Sequence, residues 1–156
     1  MTRLQIDTPE AMTALGARIA ERLEAGDLVA LNGALGAGKT TLTRGLGEAL
    51  GVRGAVTSPT FVLARTHPRE HGAPLVHVDA YRLSSALELD DLDIDFERAI
   101  VVVEWGEGLL DGVVESWLQV DIERPIGGTA SDEGVEPRMV AVSGHGPRWV
   151  DLSWLG

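Results

Sequence analysis

The chain has 156 residues, 44% of them hydrophobic, and carries 13 basic against 24 acidic side chains for a formal net charge of −11. That length suits one domain with a substantial core, and the acidity excludes the basic stripe with which nucleic-acid binders neutralise phosphates. Zero cysteines exclude disulfides and thiolate chemistry, and the four histidines (His67, His71, His77, His145) show no zinc-ligand spacing.

Met1 to Asp7 lacks the apolar centre of a signal peptide, and no run approaches the roughly 20 apolar residues of a membrane span. A cytoplasmic protein with no membrane contact is therefore expected. Thr8-Pro9-Glu10 is a helix start, with a capping hydroxyl, a proline at the first helical position and an acid in the first turn. Met12, Leu15, Ile19 and Leu23 repeat at helical spacing, and Gly26 ends the segment. Leu28-Val29-Ala30-Leu31 reads as the first strand, of the buried type. Thr40 to Leu50 reads as a helix with Leu42, Leu46, Ala49 and Leu50 on one face and Gly51 as its stop.

Val62 to Arg65 and Leu75 to Val78 read as strands, joined by the polar turn from His67 to Pro74. Their separation suits a hairpin, which brings antiparallel pairing into the sheet. The acidic stretch Leu87 to Asp93 is one helical segment or an irregular turn. Ile100 to Val103, apolar and β-branched throughout, is expected as a central strand buried on both faces. Leu118 to Ile122 and Met139 to Val142 are later strands. Between them, Pro125 to Pro137 is glycine-rich and without periodicity, and reads as a mobile loop; a tail follows from about residue 144. The fold expected over residues 1–156 is a single-domain α/β phosphate-loop nucleotidase with a mixed parallel and antiparallel sheet flanked by helices.

The chemistry concentrates between the first strand and the second helix. Gly33-Ala34-Leu35-Gly36-Ala37-Gly38-Lys39-Thr40 matches G-x-x-x-x-G-K-[ST] at every fixed position, in the strand–loop–helix context that motif requires. Lys39 is the only lysine in the chain. A compact ammonium can fold over such a loop and touch the β- and γ-phosphates, where a planar guanidinium is too bulky. The glycines let backbone N–H groups turn inward, the helix aims its positive end at the phosphates, and Thr40 offers a hydroxyl to Mg²⁺. The pattern points to a nucleoside triphosphate.

Such a loop needs a carboxylate at a neighbouring strand end. Ile100-Val101-Val102-Val103-Glu104 has that form, and Leu75-Val76-His77-Val78-Asp79 is a weaker copy interrupted by a histidine. The preferred division makes Glu104 the metal ligand and gives Asp79 the metal shell or the attacking water, with the assignment left open between them. Ser58-Pro59-Thr60-Phe61 is either a γ-phosphate-sensing segment through Thr60 or a proline turn entering a strand. Asn32 is the only asparagine, so no N-K-x-D guanine-reading motif exists, which favours ATP over GTP.

Gly33 to Thr41, Ser58 to Phe61, His77-Val78-Asp79-Ala80-Tyr81-Arg82 and Glu104-Trp105 together resemble the TsaE (YjeE) family, from about Thr8 to Val142. These are ATPase subunits of bacterial tRNA threonylcarbamoyladenosine synthesis. The resemblance implies slow Mg²⁺-dependent ATP hydrolysis that depends on two protein partners, a threonylcarbamoyl-transferring subunit (TsaD-like) and its companion (TsaB-like). The acidic charge, for its part, argues against direct tRNA binding by this chain alone. Carried over by residue, the nucleotide contacts are Gly33, Leu35, Gly36, Ala37, Gly38, Lys39, Thr40, Thr41 and Arg138. Thr40 and Glu104 fall at the metal, Asp79 at an essential aspartate, and Thr60 in a switch-like segment. Ala34 and Ala80 depart from the family's usual residues. A small-molecule kinase and a nucleotide-dependent binding switch use the same loop and stand as alternatives.

Overall fold

The computed structural model describes residues 2–33, 38–52, 64–69, 72–80, 94–104, 114–123 and 137–155. Along them run β1 (Thr2–Ile6), α1 (Pro9–Ala20), β2 (Leu28–Gly33), α2 (Lys39–Leu50), β3 (Ala64–His67), β4 (Leu75–Asp79), β5 (Ile100–Glu104), β6 (Trp117–Glu123) and β7 (Arg138–His145). Two 3₁₀ turns, Pro147–Trp149 and Ser153–Leu155, follow.

The strands form one sheet in the order β1-β7-β6-β2-β5-β4-β3. Its middle, β6-β2-β5-β4, is parallel, while β3 at one edge and the β7–β1 pair at the other are antiparallel. The mixed α/β architecture expected from sequence is the one observed. The hairpin is also there: Ala64 pairs with Val78 and His67 with Leu75. Val62 and Leu63 lie outside the described residues, and the strand runs on to His67. Ile100 to Val103 is fully buried between β2 and β4, as its unbroken apolar run predicts.

Three local expectations differ from the structure. Residues 2–6 form an additional strand, so Leu28 begins the second strand and not the first. The signal was the alternation of Leu4 and Ile6 with polar neighbours, too short to register beside the signal-peptide question. Helix α1 stops at Ala20, six positions before Gly26. The Asp27 carboxylate accepts the Glu24 N–H at 2.8 Å, closing a turn, and Gly26 (φ +97°) swings the chain into β2. Ala49 faces solvent, whereas Leu42 and Leu46 are buried and Gly51 ends α2 in the left-handed region (φ +74°).

Both described helices lie on the same side of the sheet. Met12, Leu15 and Ile19 of α1 and Leu42 and Leu46 of α2 share one cluster with Val29, Leu31, Ile100, Val102, Leu118, Val120, Val140 and Val142. The opposite face of β2, β5 and β4 packs Leu28, Ala30, Val101, Val103, Val76 and Val78 beneath Ile94, Phe96 and Val114. The helices cross at glycines: a Cβ on Gly16 would collide with the Leu42 carbonyl, and one on Gly45 with the Thr13 backbone. Backbone therefore rests on backbone, which holds α2 close to α1 and sets where its N-terminus emerges. Residues beyond 146 are built into the main core through Trp149 and Leu155 (3% and 1% exposed).

Candidate functional site

The carboxyl ends of β2, β5 and β4 lie side by side. Parallel pairing sets Glu104 against Leu31 of β2 on one flank and against Asp79 of β4 on the other. The two predicted acids therefore sit in direct register on adjacent strands, at the edge where β2 ends at Gly33. Register locks this arrangement: the Ala80 N–H donates to the Glu104 carbonyl at 2.8 Å. Crevices beyond the carboxyl ends of parallel strands are the ligand sites of open α/β sheets.

The two helix starts are built differently. The first turn of α1 is satisfied from within: Thr8 Oγ1 accepts the Ala11 N–H at 3.0 Å, and Glu10 sits in the first turn. The α2 start has no side-chain cap and no first-turn acid, and its N-cap Gly38 (φ +120°) is in a backbone region that side chains rarely adopt. A Cβ at Gly38 would also press on Met12 Cε at 3.1 Å. An uncapped helix start after a glycine turn presents its N–H groups and dipole to an anion.

Lys39 opens α2 and is buried (6% exposed). Its Nζ donates to the Gly33 carbonyl, folding the ammonium back to the end of β2. Burial pushes the Lys39 ammonium below its usual range, while the charges of Glu104 and then Asp79 pull it upward. The same three side chains thus converge electrostatically. Thr40 and Thr41 follow in the first turn, and Thr43 Oγ1 donates to the Lys39 carbonyl at 2.8 Å, bracing that turn from inside.

Glu104 carries a partner that sequence analysis quoted without a role. His77 Nε2 lies 2.8 Å from Glu104 Oε2, with His77 fully buried and Glu104 4% exposed. The signal was the polar residue interrupting Leu-Val-x-Val in a buried strand. His67, also buried, is held below the ordinary imidazole range, chiefly by desolvation.

Arg138 opens β7. Because β7 runs antiparallel to β6 and β6 parallel to β2, Arg138 lies at the same sheet edge as Gly33, two strands away. Gly33 and Gly38 frame the loop, whereas Leu35, Gly36, Ala37 and Thr60 lie outside the described residues, as do Tyr81, Arg82 and Trp105.

Comparison with known proteins gives the family. The model described as "Threonylcarbamoyl adenosine biosynthesis protein TsaE" matches residues 6–129. The chain belongs to the TsaE family. A Streptomyces coelicolor relative named tRNA threonylcarbamoyladenosine biosynthesis protein TsaE is 59% identical over 150 residues, covering 92% of this chain and 99% of its own. A Mycobacterium tuberculosis TsaE of the same name is 53% identical over 120 residues, 70% of this chain and 71% of the relative. Among solved structures, YdiB of Bacillus subtilis superposes with a TM-score of 0.68 at 28% identity, over 94% of this chain and 86% of that one. The family match spans both strand-end acids and the helix that begins at Lys39. It ends at residue 129, short of Arg138, whose place at this sheet edge is given by the strand pairing.

Proposed function

We propose that this chain is a Mg²⁺-dependent ATPase serving tRNA threonylcarbamoyladenosine synthesis, hydrolysing ATP to ADP and phosphate in concert with TsaD-like and TsaB-like protein partners. The observation that carries the reading is the convergence of Lys39, Asp79 and Glu104 at an uncapped helix start. The available metal donors, the Thr40 hydroxyl and the two carboxylates, are all oxygen, as Mg²⁺ prefers. Among the described residues no cluster of three or more His, Cys, Asp or Glu could hold a metal by protein ligands alone. Mg²⁺ takes one or two carboxylates and completes its shell with water and substrate phosphates.

When bound, Mg²⁺ supplies neutralisation of charge on the β- and γ-phosphates. The residues of the chain do the rest. Lys39 Nζ exchanges the Gly33 carbonyl for phosphate oxygens, and the α2 N–H groups cradle the phosphates. Thr40 and Glu104 hold the metal. Asp79, in register beside Glu104, orders the attacking water or the metal shell. Arg138 reaches the nucleotide from the same sheet edge. The net charge of −11 suits a protein docked to protein partners, with tRNA held elsewhere and the work done in the cytoplasm.

The test is ADP release from the purified chain with Mg²⁺-ATP, alone and with the two partners from the same source. Slow basal turnover that rises sharply with both partners is expected. Turnover indifferent to them would overturn the reading in favour of a small-molecule kinase. Lys39→Ala should lower turnover about 100-fold or more, on the scale of other lost transition-state charge contacts. Glu104→Ala should lose Mg²⁺-dependent hydrolysis while retaining nucleotide binding, and full activity in that variant would refute its role.

A further inference from the structure

We infer that His77 is a positioning residue for Glu104, clamping one carboxylate oxygen so that the other is presented to the Mg²⁺ shell. The inference rests on the proposed Mg²⁺-ATPase reading. It goes beyond that reading by assigning a residue with no role in it.

The geometry carries it in three steps. His77 is two residues before Asp79 on β4, so both side chains leave the strand on the same face, and Asp79 pairs with Glu104. That face is the one on which α1 and α2 pack: Leu75 of β4 and Ile100 and Val102 of β5, at the same parity, belong to the helix-side cluster. An apolar side chain would fill the position as well as Leu75 or Val78 fills theirs. An imidazole buried there costs free energy unless its N–H is satisfied.

Its satisfaction comes from one place, since Nε2 meets Glu104 Oε2 at 2.8 Å and no described residue reaches Nδ1. A carboxylate oxygen only accepts, so Nε2 carries the proton in this hydrogen bond. The tautomer is therefore set by Glu104, and the carboxylate's orientation by His77. This reciprocity is how ligating carboxylates are held elsewhere: hydrogen bonds from the shell around them fix their direction, and losing one typically costs 10- to 100-fold in metal affinity.

Glu104 needs such a brace. At the end of β5 its carboxylate has rotational freedom about its own χ angles, whereas the backbone register fixes only its Cα. With Oε2 tied to His77, the carboxylate loses part of its rotational freedom, and Oε1 is the oxygen left available to the Mg²⁺ shell. The same hydrogen bond ties β4 to β5 directly below the two acids, so it also keeps Asp79 and Glu104 level.

The experiment is a Mg²⁺ titration of N-methylanthraniloyl-ATP binding, followed by fluorescence, in wild type, His77→Leu and His77→Gln. Leucine fills the space without the donor, whereas glutamine can return an N–H near the position of Nε2. Expected for His77→Leu is Mg²⁺-free nucleotide affinity within about twofold of wild type and a Mg²⁺ half-saturation raised about tenfold or more. His77→Gln should recover most of that shift. An unshifted His77→Leu, or a His77→Gln that behaves like it, overturns the role of His77 alone. Wild-type binding that ignores Mg²⁺ sinks the Mg²⁺-ATPase reading and this inference with it. A second measurement needs no variant: ¹⁵N spectra of the histidines should place the His77 proton on Nε2, with a shift that moves on adding Mg²⁺ to the ADP-bound protein. A proton on Nδ1 overturns the clamp.

Discussion

At the scale of single residues, the chain places its costly groups where they do work. Lys39, His77, His67 and Glu104 are all buried, and burying ionisable groups is tolerated only with partners or neutralisation. Lys39 has the Gly33 carbonyl and two nearby acids, and His77 has Glu104. His67 is different: its Nε2 has no protein partner among the described residues, and desolvation holds its imidazole below the ordinary range. In the unfolded chain it takes up a proton near pH 6.5, whereas in the folded chain it resists until lower pH. The unfolded state therefore binds more protons in that window, and the stability contributed by neutral His67 is present above about pH 6.5 and lost as the pH falls below it. The melting temperature should drop between pH 7.5 and pH 5.5, and the drop should be smaller in His67→Leu. Equal slopes in the two proteins would show that His67 does not set this dependence.

At the scale of elements, the α1–α2 crossing decides where the start of α2, with Lys39, lies. Gly45→Ala gains helix propensity, about 1 kcal/mol, yet inserts a methyl group into the Thr13 backbone. Overpacking typically costs 1–3 kcal/mol, and backbone atoms yield less than side chains do. We expect net destabilisation of about 2 kcal/mol by denaturant unfolding, together with weaker nucleotide binding as the α2 start shifts. Gly51→Ala serves as the contrast. Nothing lies within 4 Å of its Cβ, so it should lose only about 1 kcal/mol for its left-handed conformation and leave nucleotide affinity unchanged. A Gly45→Ala protein as stable as wild type would mean that the helices can separate at no cost. Arg69 ties the other end of α2: its Nε donates to the Leu50 carbonyl at 2.8 Å and its Nη1 to the Ala73 carbonyl at 3.2 Å. The helix is thus fixed at both ends relative to the sheet.

At the scale of the whole molecule, residues 147–155 close the helix-side core at the end of the sheet opposite the strand-end acids. They follow the end of β7, where Trp117 of β6 stacks on His145 with ring centroids 4.6 Å apart. Arg148 lies over the Trp149 ring at 4.5 Å and makes a forked pair with Asp27, Nε to Oδ1 at 3.1 Å and Nη2 to Oδ2 at 3.2 Å. Arg18 reaches the Leu155 carbonyl at 2.9 Å. The last turn of α1 and the last described residues are therefore stitched together at the sheet end opposite Asp79 and Glu104. Because Trp149 is a buried core residue, Trp149→Ala should cost about 3–5 kcal/mol. That corresponds to a melting temperature lower by about 10 °C or more. Binding of N-methylanthraniloyl-ATP below that temperature should change little. A large loss of nucleotide affinity with unchanged stability would place the tail at the site instead.

Much of this protein was readable from local chemistry. The phosphate-loop motif, the Thr8 cap and the two strand ends with acids depend on residue type at fixed spacing, and spacing is a property of the chain itself. The unbroken apolar run of β5 announced a strand buried on both faces because no solvent-facing position was provided. What the tertiary structure decided are the relations between segments far apart in sequence. Strands β1 and β7, β6 and β2, and β2 and β5 pair across long stretches of chain, and only pairing could fix the register that sets Asp79 level with Glu104, or bring Arg138 to the edge where Gly33 lies. The His77–Glu104 hydrogen bond spans 27 positions, and a histidine in a buried strand shows its purpose only when the acid on the next strand stands opposite. The tail was illegible for the same reason: Trp149 and Leu155 have no local pattern, and their burial is conferred by the core they meet.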